Sequence, residues 1–561
     1  MLSILSNPNE VQLRVATLNE ALEQSARNGA LFWTANKDAD ALELRAATLL
    51  ERAHCVAQRL VSLGLRRGDR AVIMLPTSVD WLAAFFGVLL AGGAAVPLGP
   101  NLSFGGMDRY AETVQVILRS ADARFLLVNG AIDAHLPKLC GKGSPLEHVV
   151  RVDELTAGDS GRLPSVSPED VAVIQYTSGT TGAPKGVVLS HRALLANAHM
   201  IGERARMTPN DVGVSWLPLF HDMGLVGALL TALYWQYPLL LMPVESFLLQ
   251  PRRWLQWLAK RRATLSVAPN FAYQFVLDRV SDRHLVGLDL SAWRCAFNGA
   301  EAVRVETLRA FAQRFDARGF APRAFQPVYG MAENSLAATF PDPGQPWRSV
   351  RAGGRECVSV GTPLSGVTVA IVDGQEQALP AGVSGAIRLR SPSLMDGYFR
   401  NEQATAEVLN EGWLRTGDIG FVQDGELFIT GRSKEIIVKR GRNYGPDELE
   451  EVALRASKGR VLRAAAFGTP DGQDGTERIV LVLETHPVNE HEKDLLARDV
   501  GGALVAAIGI AHDVLVVVPP KTIERTTSGK IRRVTLKTHF LQGTLPRHAS
   551  GSPPTVAPSS T

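Results

Sequence analysis

The apolar and polar positions along the chain alternate in a way that predicts repeated strand and helix units. Short apolar runs next to turn residues, such as Arg70–Leu75 (RAVIML) and Arg124–Val128 (RFLLV), predict buried strands. Leu42–Leu63 has an apolar residue at about every third or fourth position, which predicts a helix. Because strands that alternate with helices pair mostly in parallel, the pattern predicts an α/β fold.

Two apolar stretches are long enough to be compared with membrane-spanning helices. Trp81–Leu98 is broken by the Gly92-Gly93 pair and by Pro97, so it predicts a buried helix, a turn and a short core strand. Leu225–Leu249 is interrupted by prolines, a glutamine and a glutamate, which also favours a place in the core. No integral membrane segment is expected.

Composition narrows the class of protein. The balance of 59 Lys and Arg against 56 Asp and Glu gives a net charge of +3, which offers no support for a nucleic-acid partner. The four cysteines are scattered without a CxxC pair, which argues against a zinc site and a disulfide scaffold. The first residues lack a basic region followed by an apolar one, so we expect no signal peptide and a cytoplasmic location.

The length of 561 residues requires more than one core. Charged residues become dense after Gly431, which predicts a domain boundary there. We expect a large N-terminal domain of parallel βα layers at 1–431, with a small β-rich subdomain at about 355–431. A smaller α+β domain should follow at 432–545, and the low-complexity tail at 546–561 should be disordered.

The stretch Tyr176–Gly186 (YTSGTTGAPKG) predicts a phosphate-binding loop. Glycines allow backbone N–H groups to converge on an anion, and hydroxyl groups and a lysine add donors and charge. The loop is not a Walker A motif, because Pro184 precedes Lys185 and Gly186 follows it. The alternative is an ordinary Gly/Thr surface loop between two strands.

Two predicted strands further along end in polar residues. Arg294–Glu301 (RCAFNGAE) ends in Asn-Gly-Ala, and Pro327–Glu333 (PVYGMAE) continues through a Tyr-Gly pair. Open α/β sheets bind ligands at such strand ends. Tyr329 offers a flat face for a base, and Glu333 offers an oxygen ligand for the divalent cation that a nucleoside triphosphate would bring.

Other residues are ambiguous without further context. His221 lies in an apolar stretch, where a histidine is more often a core residue than a catalytic one. Phe271, Tyr273 and Phe275 could line an apolar pocket, although core packing is the default interpretation. Lys530 follows Ser-Gly on a predicted turn, where a lysine is normally just solvated.

The motifs taken in order resemble one superfamily. They are YTSGTTGAPKG, LPLFHDMGL, FNGAE, VYGMAE, RTGD, GRSKEIIVKRGRNYGPDELE and TTSGKIRR, spread over about residues 15 to 543. This ordered set resembles the adenylate-forming superfamily of acyl-CoA synthetases, nonribosomal peptide synthetase adenylation domains and luciferases. HDMGL, APNFAYQ, MAENSL, RGRNYGP and TTSGKIRR are most similar to the fatty acyl-AMP ligases.

The resemblance implies nucleotide-binding roles at the matching positions. The β- and γ-phosphates of ATP would be bound by Thr177, Ser178, Gly179, Thr180, Thr181, Gly182 and Lys185. The adenine pocket would be formed by Asn298, Gly299, Ala300 and Tyr329, and the expected nucleotide-binding set also includes Glu301, Gly330, Met331 and Ala332. Glu333 would bind Mg²⁺.

The resemblance also implies roles for five residues outside this set. Asp418 would accept hydrogen bonds from both ribose hydroxyls, and Arg432 would support the same region. Lys434 resembles the hinge of a mobile C-terminal domain. Lys530 would bridge the acyl carboxylate and the α-phosphate, and His221 would lie between the adenylate and the acyl pocket.

The implied function is activation of a fatty acid with ATP, then acyl transfer to the phosphopantetheine thiol of an acyl-carrier protein. No carrier segment is recognisable in the chain, so the carrier would be a separate partner. One alternative is an acyl-CoA synthetase. Another is a non-catalytic adenylate-binding relative, which the presence of Thr177, Lys185, Glu333, Asp418 and Lys530 disfavours.

Two departures from the fatty acyl-AMP ligase pattern concern the acceptor. Phe340–Val358, expected as a loop or insertion, is shorter than the insertion that impedes use of CoA in that family. NYGPDELE replaces the more usual NxYPQDIE, with Gly445 and Asp447 substituted.

Overall fold

Two seven-stranded, mostly parallel sheets form the centre of the N-terminal domain. The computed structural model describes residues 2–35, 40–100, 107–130, 136, 144–155, 162–177, 184–352, 355–433, 435–439, 442–470, 477–525, 531–546 and 548. The strands of the first sheet lie in the order Gly397–Tyr398, Lys185–Ser190, Val171–Thr177, Ala94–Pro97, Arg70–Ile73, Phe125–Val128 and His148–Arg151. Those of the second lie in the order Phe325–Pro327, Cys295–Gly299, Leu265–Pro269, Gly213–Ser215, Leu239–Leu241, Leu31–Ala35 and Ala41–Arg45.

Helices flank these sheets and bury apolar residues against them, as a parallel sheet requires. The described N-terminal α-helices are Leu18–Arg27, Ala46–Ser62, Val79–Leu90, Met107–Ala121, His191–Arg204, Thr231–Trp235, Val244–Leu249, Arg252–Lys260, Asn270–Arg279, Val305–Phe315 and Glu402–Val408. One continuous apolar core runs through both sheets and most of these helices. A second apolar cluster packs the helix Met107–Ala121 against the other face of the first sheet. No helix among the described residues is long and apolar enough to cross a membrane.

Antiparallel strands complete the N-terminal domain. A six-stranded sheet contains Ile4–Ser6, Thr368–Val372, Gly385–Arg390, Trp413–Gln423, Leu409–Asn410 and, paired to the long fourth strand, Glu426–Arg432. A three-stranded sheet is formed by Tyr329–Gly330, Ala337–Phe340 and Thr362–Pro363. The N-terminal domain therefore combines parallel and antiparallel layers.

The smaller C-terminal domain has its own sheet and cores. Its sheet consists of Val461–Pro470, Glu477–Thr485 and Val514–Val518, and a separate pair is formed by Ile437–Lys439 and Arg442–Tyr444. Its described helices are Pro446–Ala456, Glu490–Ile508 and Arg533–Leu541. Apolar clusters cover both faces of the three-stranded sheet, so this domain has packing of its own. The predicted α/β fold class, with a large and a small domain, is confirmed.

Two predictions of local structure are wrong. The expected helix at Leu42–Leu63 begins only at Ala46, because Ala41–Arg45 pairs antiparallel with Leu31–Ala35 as an edge strand. Phe340–Val358 is not an irregular loop: Ser349–Ala352 and Arg355–Val358 form a two-stranded antiparallel hairpin. Strands of four or five residues are too short for the alternation of apolar and polar positions to stand out from the surrounding sequence.

Candidate active site

A buried carboxylate lies at the centre of the candidate site. Asp418 pairs across two antiparallel strands with Arg432, whose Nε lies 3.1 Å from Asp418 Oδ1. The phenolic Oη of Tyr329 donates a hydrogen bond of 2.8 Å to Asp418 Oδ2. Asp418 raises the pKa of Arg432, whereas burial, with a further contribution from Asp418, raises the pKa of Tyr329. The three side chains therefore form one rigid group with the carboxylate between two donors.

Asn298 reaches the same region from a neighbouring strand. The strand Cys295–Gly299, which carries Asn298, pairs in parallel with Phe325–Pro327. Asn298 therefore lies beside the segment that leads to Tyr329. Asn298 is fully buried, and its Nδ2 donates to Asn270 Oδ1 at 3.3 Å. Asn298 Oδ1 has no hydrogen-bond partner among the described residues. A buried amide oxygen in this position can accept a hydrogen bond from a ligand.

The residues after Asn298 form a tight turn. A Cβ on Gly299 would lie 2.5 Å from Val328 Cγ2, and Ala300 has a φ of +66°. The turn leads to Glu301, whose Oε1 accepts a hydrogen bond of 2.5 Å from the Phe271 backbone N–H. Burial raises the pKa of Glu301, although the Phe271 bond and the charge of Arg525, from the C-terminal domain, lower it.

Glu333 is positioned by an aromatic residue distant in sequence. Tyr398 Oη donates to Glu333 Oε1 at 2.8 Å, and the Lys185 Nζ lies 4.8 Å from the centroid of the Tyr398 ring. Burial, together with the Glu333 charge, raises the pKa of Tyr398. Beside Lys185 lies a cavity of about 300 Å³ that is also lined by Arg119 and Arg400. Tyr398 thus contacts the Glu333 carboxylate through its hydroxyl group and Lys185 through its ring.

His221 precedes an unusual helix. Met223–Leu230 is a π-helix, a form that occurs often at functional sites. The Phe220 and His221 rings lie 4.8 Å apart, and the Phe220 carbonyl accepts a hydrogen bond of 2.7 Å from Gln175 Nε2. His221 is half-buried on the segment that follows this contact. Gln175 belongs to the strand that leads into the phosphate loop, so this contact connects the two segments.

Several aromatic side chains pack together around Trp216. Trp216 stacks on Phe247 with ring centroids 3.9 Å apart, and Phe271 and Phe275 contact this pair edge-on or tilted. Phe271 and Phe275 are half-buried. Tyr273 is fully buried and donates to the Phe297 carbonyl at 3.0 Å. Tyr273 is therefore a core residue, whereas Phe271 and Phe275 keep part of their side chains accessible.

Comparison with known proteins identifies the family. A family model for AMP-binding enzymes matches residues 26–399. The chain belongs to this family. A 4-hydroxyphenylalkanoate adenylyltransferase of Mycobacterium tuberculosis is 37% identical, over 86% of this chain and 84% of that protein. The medium-chain-fatty-acid–[acyl-carrier-protein] ligase JamA of Moorena producens is 33% identical, over 93% and 94%.

Solved structures agree. One from a study of fatty acyl-adenylate ligases from E. coli and L. pneumophila has a TM-score of 0.88 and 32% identity, over 95% of this chain and 99% of that chain. The predicted resemblance to adenylate-forming enzymes, and to fatty acyl-AMP ligases among them, is confirmed.

The structure of this AMP-binding enzyme brings several predicted residues together. Tyr329, Asp418 and Arg432 are bonded to one another, and Asn298 lies on the neighbouring strand, where its backbone carbonyl accepts the Val328 N–H at 2.8 Å. Thr177 and Lys185 are paired on the adjacent strands that flank the predicted phosphate loop. Gly330, Met331 and Ala332 continue the chain from Tyr329 to Glu333. The predicted site residues that lie outside the described part of the chain are Ser178, Gly179, Thr180, Thr181, Gly182, Lys434 and Lys530.

Tyr398 belongs to no motif that predicts a functional role. It lies in SLMDGYFR, 65 positions from Glu333, and only the antiparallel pairing of Gly397–Tyr398 with Val187–Val188 brings it to the site of this AMP-binding enzyme. Among the described residues, no group of three or more His, Cys, Asp or Glu side chains could hold a metal ion.

Proposed function

We propose that this protein activates a fatty acid with ATP and passes the acyl group to the phosphopantetheine thiol of a separate acyl-carrier protein. The observation that carries the proposal is the bonded pair Tyr329–Asp418 next to the strand of the buried Asn298, together with Lys185 and Glu333, which both contact Tyr398. One domain thus provides hydrogen-bond acceptors for a nucleoside and a positive charge, that of Lys185, for phosphates.

The residues fit an adenine nucleotide. Asn298 Oδ1 is a buried acceptor without a partner among the described residues, which suits an amino group of a base. The Asp418 carboxylate can accept hydrogen bonds from ribose hydroxyls while Arg432 balances its charge. We assign these two residues to the base and the ribose, respectively.

Glu333 fits Mg²⁺ as a single protein ligand. One of its oxygens accepts the Tyr398 hydrogen bond, and carboxylate oxygens are preferred Mg²⁺ ligands. Bound there with triphosphate oxygens, Mg²⁺ would neutralise charge on the leaving pyrophosphate. Tyr398 fixes the orientation of the Glu333 carboxylate.

The chemistry has two steps. A carboxylate oxygen of the fatty acid attacks the α-phosphorus of ATP, the bond to the β-phosphate oxygen breaks, and pyrophosphate leaves. No general base is needed, because the acid is already ionised at neutral pH. Lys185 and Lys530 would stabilise charge where these anions meet, which is worth several kcal/mol in a transition state.

In the second step the carrier thiol, as its thiolate, attacks the acyl carbonyl carbon. The bond from that carbon to the AMP oxygen breaks, AMP leaves, and a thioester forms. We assign Lys530 to the first step alone, withdrawn by movement of the C-terminal domain about Lys434.

The adenylation step is tested by substituting Lys530. Lys530→Ala should abolish acyl-AMP formation from ATP and a fatty acid while ATP binding changes little, because the lysine acts on the reacting groups. Acyl-AMP is measured by chromatography and ATP binding by calorimetry. An unchanged yield of acyl-AMP would refute the role given to Lys530.

The acyl acceptor and the carboxylic acid substrate are tested by supplying alternatives of each. The wild-type enzyme is supplied with ATP, Mg²⁺ and octanoate, dodecanoate or a 4-hydroxyphenylalkanoate, then with CoA or a phosphopantetheinylated carrier. We expect acyl-carrier product from the alkyl acids and little acyl-CoA. Rapid formation of acyl-CoA would favour an acyl-CoA synthetase, and preference for the hydroxyphenyl acid would replace the fatty acid as substrate.

A further inference from the structure

One guanidinium in the C-terminal domain joins three carboxylates. Arg533 Nε and Nη2 each donate at 2.9 Å to the two oxygens of Glu450, and Nη1 donates at 2.7 Å to Glu435. Nη2 also donates to Asp447. The side chains of Arg533 and Glu450 are 12% and 3% exposed, so this cluster is largely removed from solvent.

The charges in this cluster depend on one another. Burial raises the pKa of Glu450 to about 7, and Arg533 is the main opposing influence. Although burial lowers the pKa of Arg533, Glu450 and Asp447 raise it overall. Glu450 Oε1 also accepts the Ala466 backbone N–H at 2.8 Å, which fixes it to the central sheet of the domain. Removing the guanidinium would leave buried carboxylates without a counter-charge.

The cluster joins two segments that matter for the proposed reaction. Arg533 begins the helix Arg533–Leu541 and follows Lys530 by three positions. The residue before Arg533 is also anchored, because the Arg532 backbone N–H donates a hydrogen bond of 2.9 Å to the Glu524 carbonyl. Glu435 directly follows Lys434, and its N–H donates to the Arg432 carbonyl at 3.1 Å.

These contacts form a continuous connection from the nucleotide site. Asp418 binds Arg432, the backbone of Arg432 binds that of Glu435, and the Glu435 carboxylate binds Arg533. We propose that Arg533 is a positioning residue for adenylation: it holds the start of the helix Arg533–Leu541, three positions after Lys530, against Glu435 in the chain that leaves the nucleotide site. The inference rests on the proposed function.

One departure from the fatty acyl-AMP ligase pattern, the stretch NYGPDELE, contributes residues to this cluster. Asp447 stands where the fatty acyl-AMP ligase pattern has Gln, and its carboxylate is one of the three that bind Arg533. The substitution thus adds a negative charge at the same guanidinium. Glu450, the last residue of the motif, matches the pattern and supplies the two-pronged contact.

The test is a double-mutant comparison with full-length protein. Arg533→Gln should lower acyl-AMP formation by about 10–100-fold, because small displacements of a reacting group have effects of this size. Transfer of the acyl group from supplied acyl-AMP to the carrier should change less than about 3-fold, because Lys530 does not act there. In a Lys530→Ala background, any residual acyl-AMP formation should not fall further when Arg533→Gln is added.

Controls separate positioning from folding. Arg460→Gln removes another ion pair of this domain, with Asp499, and should leave both half-reactions unchanged. Glu435→Gln weakens the contact of Arg533 to the connecting segment while Glu450 and Asp447 still bind Arg533, and it should reproduce part of the adenylation defect, even if Arg533→Gln does not fold. Thermal unfolding of each variant is compared with its activity.

The outcomes distinguish the two proposals. If the wild type forms no acyl-AMP, the proposed function fails and the inference fails with it. If the wild type forms acyl-AMP and Lys530→Ala abolishes it, normal adenylation by folded Arg533→Gln and Glu435→Gln would overturn the inference alone. Equal losses in both half-reactions would also overturn it, because they would indicate a structural role.

Discussion

The two domains hold their parts of the candidate site in different ways. In the N-terminal domain, Asp418 is 5% exposed and bonded to both Tyr329 and Arg432. The C-terminal domain contacts the other domain through pairs such as Arg455–Glu306, whose side chains are 65% and 58% exposed. Breaking the Asp418–Arg432 pair would leave a buried carboxylate without its counter-charge, although Arg432 itself is 39% exposed, whereas a fully exposed pair contributes about 0–1 kcal/mol.

This difference fits a nucleotide site that is formed in advance and a second domain that docks weakly. The N-terminal core is continuous across both large sheets, and the C-terminal domain packs around its own sheet. A unit with its own core can move without exposing the core of its neighbour. The following predictions test how rigid the first domain is and how weakly the second is bound.

The largest effect is expected from Gly330→Ala. A Cβ at this position would lie 1.8 Å from the Leu336 carbonyl oxygen, which is backbone and cannot move aside easily. The free energy of unfolding should fall by about 3 kcal/mol or more, measured by urea denaturation. Gly374→Ala is the control, because nothing lies within 4 Å of its added Cβ. A stable Gly330→Ala protein would show that the site is less rigid than its geometry indicates.

A second effect concerns His191, at the start of the helix after the phosphate-loop strands. Its Nδ1 accepts the Leu18 N–H at 3.1 Å, and burial lowers its pKa to about 4. The unfolded chain, with a pKa near 6.5, binds the proton more readily, so stability is present above about pH 6.5 and is lost toward pH 4. The loss should be about 3 kcal/mol for this group.

His191→Asn isolates that contribution. The asparagine oxygen can still accept the Leu18 hydrogen bond but does not titrate in this range. Urea unfolding at several pH values between 7 and 4 should give a shallower fall in stability for the variant than for the wild type. Identical slopes would show that His191 does not make the N-terminal domain sensitive to acid.

The sequence predicts the elements better than the contacts between them. The apolar runs at Val171–Thr177 and Cys295–Gly299 are buried on both faces, so they are recognisable without neighbours. The strand Ala41–Arg45 was missed because its pairing with Leu31–Ala35 is a tertiary choice. The residue that orients Glu333, Tyr398, carries no local motif.

The same limit applies to the C-terminal domain. TTSGKIRR was recognisable as a motif, yet the partners of Arg533 lie 83 or more positions away. Neither charge spacing nor helical periodicity links Arg533 to Glu435, since the connection depends on how a helix packs against a sheet. Long-range ion clusters of this kind require the folded structure.

A smaller effect is expected at the nucleotide site itself. Asp418→Asn keeps the shape but removes the charge that faces Arg432 at 3.1 Å. If Asp418 binds the ribose, the apparent KM for ATP should rise by about 10–100-fold, the range expected for a charged hydrogen bond. Asp373→Asn, which alters a turn carboxylate bonded to Gln375 and Gln377, is the control. An unchanged KM would remove Asp418 from the nucleotide site.

The smallest effect is expected where the domains meet. Arg455 Nη2 lies 3.2 Å from Glu306 Oε1, but both side chains are exposed. Their coupling free energy in a double-mutant cycle should therefore be below about 1 kcal/mol. Arg455→Ala should change the rate of acyl-AMP formation less than about 5-fold, and added salt should shrink the difference further because exposed charges are screened. The single variants, Arg455→Ala and Glu306→Ala, and the double variant are assayed at low and high ionic strength. A coupling above about 2 kcal/mol, insensitive to salt, would mean that the C-terminal domain is firmly docked, and the contrast between a fixed and a weakly held domain would be wrong.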